Sequence, residues 1–163
     1  MKLFYIIIIS IFVSFNAKTD ANYIVEVHGT IEEVKTHQYT ETDSLKFLTI
    51  NGTFKDNLGN FGQTNSLVTM LTKNSIIETL ESHNEFFYDK NIKAYNIATR
   101  SSEDLESGVG KWVYTYVSKE IKDLKSSKCV YSISYFKSSF LAISKCSISE
   151  DAYSQLQSIR NNQ

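Results

Sequence analysis

Cys129 and Cys146 constrain this chain more than any other residues. They bracket two runs, Cys129 to Phe136 and Ser139 to Ile148, in which apolar and polar side chains alternate on either side of Lys137-Ser138. Period-two alternation marks a strand with one buried face, and a short polar break between two such runs predicts a hairpin. An antiparallel register centred on that break sets Phe136 against Ser139, Tyr135 against Phe140, Ile133 against Ala142 and Tyr131 against Ser144. Continued outward, it sets Cys129 against Cys146. Facing residues on adjacent antiparallel strands have Cα atoms about 4.5 to 5.5 Å apart, inside the range a disulfide requires. With a two-residue turn the cysteines fall on a non-hydrogen-bonded pair, the closer of the two alternating sites. Register and covalent bond thus predict one another. Neither a Cys-x-x-Cys pair nor a neighbouring histidine points to redox or metal chemistry instead.

A disulfide implies an oxidising compartment, and the first residues of the chain agree. Lys2 supplies a positive charge, and Leu3 to Phe15 form an apolar stretch interrupted only by Ser10 and Ser14. This is the layout of a secretory signal, too short for a bilayer span of roughly 20 apolar residues. Thr19 and Ala21 supply the small residues at positions minus three and minus one, so residues 1–21 are expected to leave and the mature chain to begin near Asn22. A periplasmic or secreted protein without a stable membrane span is the expectation. No cysteine precedes Cys129, which excludes a lipid anchor at the cleavage region.

The 142 residues from Asn22 to Gln163 suffice for one domain. Of 17 basic and 18 acidic side chains, Lys2, Lys18 and Asp20 leave with the leader, so the mature chain carries 15 and 17, a net charge of −2. Nucleic acid is not an expected partner. Lys119, Lys122, Lys125 and Lys128 alternate with Glu120 and Asp123, the pattern of a solvated turn.

The chain has no proline, 10 tyrosines and 10 phenylalanines, with many β-branched residues, a strand-forming composition that looks like small exported proteins of AT-rich bacterial genomes. Tyr23, Val25, Val27, Gly29 and Ile31 alternate with Glu26, His28, Thr30 and Glu32 in a long first strand. Ser44 to Lys55 reads as one continuous strand, because a hairpin at Asn51-Gly52 would set Leu48 and Ile50 against Lys55 and Thr53. The turn is expected at Asp56 to Asn60. Further strands are expected at Ser66 to Thr72, Ile76 to Glu81, Glu85 to Tyr88 and Ile92 to Thr99, with a long loop over Ser101 to Gly110. Next, alternation places Trp112, Tyr114 and Tyr116 on one face, opposite Val113 and Val117. After Ile148, Ser149 is a candidate N-cap, Glu150, Asp151 and Arg160 match helix polarity, and Ala152, Tyr153, Leu156 and Ile159 form an apolar stripe. The expected fold is all-β: a single antiparallel barrel or strongly curved sheet of about eight strands with a short C-terminal helix.

No catalytic motif emerges. His28 and His37 lie nine residues apart, on opposite faces of a strand, and His83 has only Glu81 and Glu85 beside it. Glu32-Glu33 and Glu103-Asp104 are adjacent pairs whose members diverge, and no nucleophile elbow or phosphate loop is present. No cofactor or metal is expected. Asn51-Gly52-Thr53 is a glycosylation sequon, relevant only to a eukaryotic secretory path. Gly110-Lys111-Trp112 is similar to the Gly-x-Trp signature of lipocalins, and a C-terminal helix beside an eight-stranded barrel suits that family. There the motif opens the first strand, whereas here it lies in the later half of the chain, so only the shared architecture is kept.

Small closed barrels hold one small ligand, and Trp112, Tyr114 and Tyr116 are the candidate lining. The leading expectation is a non-enzymatic barrel that binds a small apolar or amphipathic ligand or a partner protein, with homo-oligomerisation left open. The alternatives are a lyase- or cyclase-like barrel enzyme with a hydrophobic substrate, and a structural envelope or interaction module with a filled core.

Overall fold

The structure is a computed structural model that describes residues 21–100 and 107–160. Eight antiparallel strands follow one another around a closed barrel: β1 (Ala21–Gln38), β2 (Ser44–Asp56), β3 (Phe61–Lys73), β4 (Ile76–Phe87), β5 (Lys93–Arg100), β6 (Ser107–Val117), β7 (Lys128–Phe136) and β8 (Ser139–Ile148). Pairing of β1 with β8, from Ala21 opposite Ile148 to Thr30 opposite Ser139, completes the ring. A 3-10 helix (Lys119–Ser126) joins β6 to β7, and helix α1 (Glu150–Arg160) follows β8. Of the leader expected over residues 1–21, residues 1–20 lie outside the described residues; Ala21 opens β1.

The β7–β8 hairpin has the register expected from its alternation, Phe136 opposite Ser139 through Cys129 opposite Cys146. Lys137 supplies the turn with a positive φ of 56°. The cysteine sulfurs are at bonding distance, with Cα atoms 4.1 Å apart, and both side chains face the barrel interior. Hairpin β3–β4 turns on Asn74 and Ser75, with φ of 50° and 63°, the two left-handed residues that match the twist of the flanking strands.

β2 is continuous, as expected. Gly52 pairs with Gly29 across the β1–β2 ladder, and a Cβ at Gly52 would collide with the His28 carbonyl oxygen. Glycine here is a requirement of close strand approach and not a turn signal. Three single-residue bulges bend the wall, at Glu32 in β1, Glu78 in β4 and Thr115 in β6.

Three expectations change. The two short strands expected at Ile76 to Glu81 and Glu85 to Tyr88 are one, β4, because Ser82 and Asn84 turn inward to hydrogen-bonding partners and do not break the ladder. The loop expected to reach Gly110 gives way to β6 from Ser107; residues 101–106 lie outside the described residues. The lysine-rich turn is a 3-10 helix whose Ile121 and Leu124 are fully buried.

The strand ends near Ala21, Asp56, Val117 and Ile148 form a closed end. The 3-10 helix and the Ala152, Leu156 and Ile159 stripe of α1 seal it against Tyr23, Phe54, Tyr88, Tyr114 and the disulfide. Ser149 caps α1, its Oγ accepting the Ala152 N–H at 3.2 Å. The opposite end is unsealed among the described residues. There β1 pairs with β2 as far as Gln38 opposite Ser44, well past the last β1–β8 pair, so the rim stands higher over β1–β4.

Ion pairs Glu26–Lys55, Lys73–Glu78 and Glu85–Lys93 lie on the outer face. Among the described residues no helix is long and apolar enough to cross a membrane.

Candidate functional site

Inward-facing side chains above the sealed end do not meet across the barrel, and they leave a cavity of about 380 Å³ that opens toward the free rim. That volume lies in the range of small-molecule sites, roughly 300 to 1,000 Å³. Alternation along each strand decides what lines it. β1, β2 and β8 contribute Val27, Ile31, Leu48, Ile50, Phe140 and Ala142, an apolar wall. On the facing wall β3 to β5 add further apolar residues, among them Val68, Met70 and Leu80, and a polar stripe of Thr64, Ser66, Ser82, Asn84 and Asn96. These five residues lie on neighbouring rungs, with Asn84 opposite Ser66 on one side and Asn96 on the other.

The stripe is a directed hydrogen-bond chain. Ser82 Oγ donates to Asn84 Oδ1 at 2.6 Å, and Asn84 Nδ2 donates to Asn96 Oδ1 at 2.7 Å. Asn84 Nδ2 also donates to the Ser82 carbonyl at 3.4 Å, which orients the Asn84 amide and, through it, that of Asn96. The chain ends on Asn96 Nδ2, a donor with no acceptor among the described residues, on a residue only 2% exposed. Trp112 Nε1, on a residue 4% exposed, is likewise without an acceptor. Both residues line the cavity. Buried donors without partners are rare in folded proteins because each carries a desolvation cost.

Trp112 stacks on Phe86 with ring centroids 5.8 Å apart, and the two form part of the lining. Phe54 backs Phe86 edge-on at 5.0 Å, and Tyr114 packs on Trp112 in a tilted arrangement at 4.9 Å. Near the rim the lining changes again. Lys46, Arg100 and Lys137 are its charged members, and no carboxylate, histidine or thiol is among the lining residues described. Tyr131 and Tyr135 stand beside Arg100. Burial pushes the Tyr131 phenol up to about 12, with Tyr135 adding to the rise and the Arg100 charge opposing it.

The three aromatic residues expected to line a pocket separate. Trp112 lines the cavity. Tyr114 faces inward but lies in the sealed end, outside the lining. Tyr116 is 54% exposed, because Thr115 is an extra residue between the Tyr95–Tyr116 and Asn96–Tyr114 pairs and the bulge turns Tyr116 outward against Tyr95. The alternation that groups Trp112 with Tyr116 holds only for an unbroken ladder. Cys129 and Cys146 are buried in the sealed end, where they tie β7 to β8.

Beneath the aromatic layer lies a second polar group that alternation does not reveal. Asp56 Oδ1 accepts the backbone N–H groups of Leu58 at 3.0 Å and Asn60 at 2.8 Å, while Oδ2 accepts Tyr23 Oη at 2.9 Å and Asn60 Nδ2 at 2.8 Å. Asn60 Nδ2 also reaches the Leu156 carbonyl at 3.2 Å, tying the β2–β3 turn to α1. Tyr23 and Tyr88 hydroxyls are 3.0 Å apart. Burial is the main cause holding the Tyr23, Tyr88 and Tyr114 phenols above their ordinary value. They therefore stay neutral across the physiological range, and the group serves as a structural floor.

Among the described residues no group of three or more histidine, cysteine, aspartate or glutamate side chains converges to hold a metal ion. No protein-family model matches the sequence, and no curated protein matches it. Among solved structures, a crystal structure of a protein of unknown function from Clostridium acetobutylicum ATCC 824 is similar, with a TM-score of 0.62 at 15% sequence identity, over 79% of this chain and 100% of that one. A likeness at that identity concerns the fold alone.

Proposed function

We propose that the protein is an exported, non-enzymatic carrier or sensor that binds one small amphipathic molecule inside the barrel. The observation that carries this reading is the cavity itself, about 380 Å³ in volume, walled by apolar side chains and edged by the unpaired donors of Asn96 and Trp112. A filled core would have supported a structural module instead. The lyase or cyclase alternative shares the same cavity, where no carboxylate, imidazole or thiol is among the described lining residues and its acid or base would have to be Lys46, Lys137, Tyr131 or Tyr135. Export is supported by the paired cysteines and by the signal-like run from Lys2 to Phe15.

N-phenyl-1-naphthylamine, a neutral apolar dye, tests the cavity. It is expected to bind with one-to-one saturation, and Ala98→Phe or Ala142→Phe, which fill the interior from opposite walls, are expected to weaken binding at least about tenfold with unchanged far-ultraviolet circular dichroism. Binding that survives both substitutions would place the dye elsewhere, for example in the outer groove around Val109, Val130 and Ile143, and would refute the assignment.

A further inference from the structure

The lining holds more information about the ligand than its apolar area does. Its charged lining side chains near the rim, Lys46, Arg100 and Lys137, come from three separate strand ends, β2, β5 and the β7–β8 turn, and all are cationic. Lys46 and Lys137 have no ion-pair partner among the described residues; the Lys137 ammonium lies 5.6 Å from the centroid of the exposed Phe136 ring. Arg100 is held across Gly108, where any Cβ would collide with the guanidinium, so the absence of a side chain on β6 admits this arginine to the lining. Positive charge at the mouth of a low-dielectric cavity, with no negative charge among its described lining residues, focuses a field that favours an anion there. Deeper along β5 the wall changes from charge to hydrogen bonding. Asn96 lies four residues from Arg100, roughly 13 Å at about 3.3 Å per residue, and presents the unpaired Nδ2 that ends the Ser82–Asn84–Asn96 chain. Between these two poles the opposite wall is apolar.

We propose that the ligand is an elongated organic anion. Its charged group sits at the Lys46, Arg100 and Lys137 rim, its apolar body lies along the β1, β2 and β8 wall, and its inserted end carries a hydrogen-bond acceptor for Asn96 Nδ2. The inference rests on the reading that the barrel interior is a binding site, and adds which chemistry it selects. An unsubstituted hydrocarbon tail would leave the Asn96 donor unmatched. A cationic amphiphile would meet like charge at the rim.

Three ten-carbon probes below their micellar concentrations separate these features: decanoate, decyltrimethylammonium and 10-hydroxydecanoate, whose hydroxyl lies about as far from its carboxylate as Asn96 from Arg100. Trp112 is the sole tryptophan, so its emission reports occupancy of the cavity it lines. Decanoate is expected to bind at least about tenfold more tightly than decyltrimethylammonium, and the ratio to fall toward unity in Lys46→Gln/Lys137→Gln. The hydroxyl is expected to improve on decanoate by about three- to tenfold, the worth of one neutral hydrogen bond, and to become a handicap in Asn96→Ala. Should Asn96→Ala fail to fold, the ratio between 10-hydroxydecanoate and decanoate in the native protein decides the point alone. Decyltrimethylammonium binding as tightly as decanoate would overturn the anionic assignment, and 10-hydroxydecanoate binding more weakly than decanoate to the native protein would overturn the acceptor. If N-phenyl-1-naphthylamine binds the cavity while none of the three probes does, this inference falls and the cavity reading stands. If the dye fails too, both fall.

Discussion

At the scale of single residues, Asp56 carries the heaviest burden in the described structure. Its carboxylate accepts four hydrogen bonds at the sealed end, from two backbone amides, the Asn60 side chain and the Tyr23 hydroxyl. Asp56→Ala would leave those donors buried without an acceptor, so chemical denaturation is expected to show a loss of more than about 3 kcal/mol; a loss under about 1 kcal/mol would contradict the network. The buried phenols make a separate prediction. Tyr23, Tyr88 and Tyr114 hold their protons more tightly in the folded state than in the unfolded chain, where tyrosine titrates near 10. Below pH 10 both states are protonated and the full stability is present. Above it the unfolded chain releases protons first, so stability falls as the pH rises toward the folded values. Denaturation midpoints measured from pH 8 to 12 are expected to decline above pH 10, with a shallower slope in Tyr88→Phe. Of this network the sequence showed Asp56 and Asn60 only as turn residues. Its role as an acceptor depends on Tyr23, 33 residues earlier, and Asn60 meeting it at one barrel end, and no local pattern encodes that convergence.

At the scale of elements, the β7–β8 hairpin was the most legible part of the chain. Alternation, turn position and cysteine spacing are three local signals that agree on one register. Closing a loop of 17 residues is worth roughly 3 kcal/mol on the chain-entropy account. Replacing both cysteines with alanine is expected to lower the unfolding free energy by about that amount while leaving the far-ultraviolet spectrum of a β protein; unchanged stability would show that the bond contributes nothing to the fold. Legibility failed where an element's inner face is polar. β4 was divided at Ser82 and Asn84 because polar residues normally mark solvent or turns, whereas here they face a cavity and each other. The same rule led to the lysine-rich connection being read as solvated, although Ile121 and Leu124 between its charges are what seal the barrel. Tyr116 was lost to the Thr115 bulge, which alternation cannot register.

At the scale of the whole molecule, a barrel of eight strands leaves an interior that side chains either fill or line. Here the outcome differs between the two ends. Large aromatic side chains, the disulfide and two helical segments fill one end, while Ala98, Ala142, Ser66 and Ser144 face a space farther up that they are too small to close. Sequence could foresee the architecture and Trp112 as a lining residue. It could not foresee the Asn84–Asn96 pair, since these residues meet only when β4 and β5 align, nor the cationic rim, whose three members are spread from Lys46 to Lys137. The central claim is that this interior, and not an outer surface, receives a ligand. Nuclear magnetic resonance of the isotopically labelled protein tests it most directly, because Trp112 gives a single indole N–H signal. On titration with 10-hydroxydecanoate, that signal and the Asn96 side-chain amide are expected to shift along one common saturation curve. Shifts confined to Val109, Val130 and Ile143 on the outer face, with the Trp112 and Asn96 signals unmoved, would contradict the account.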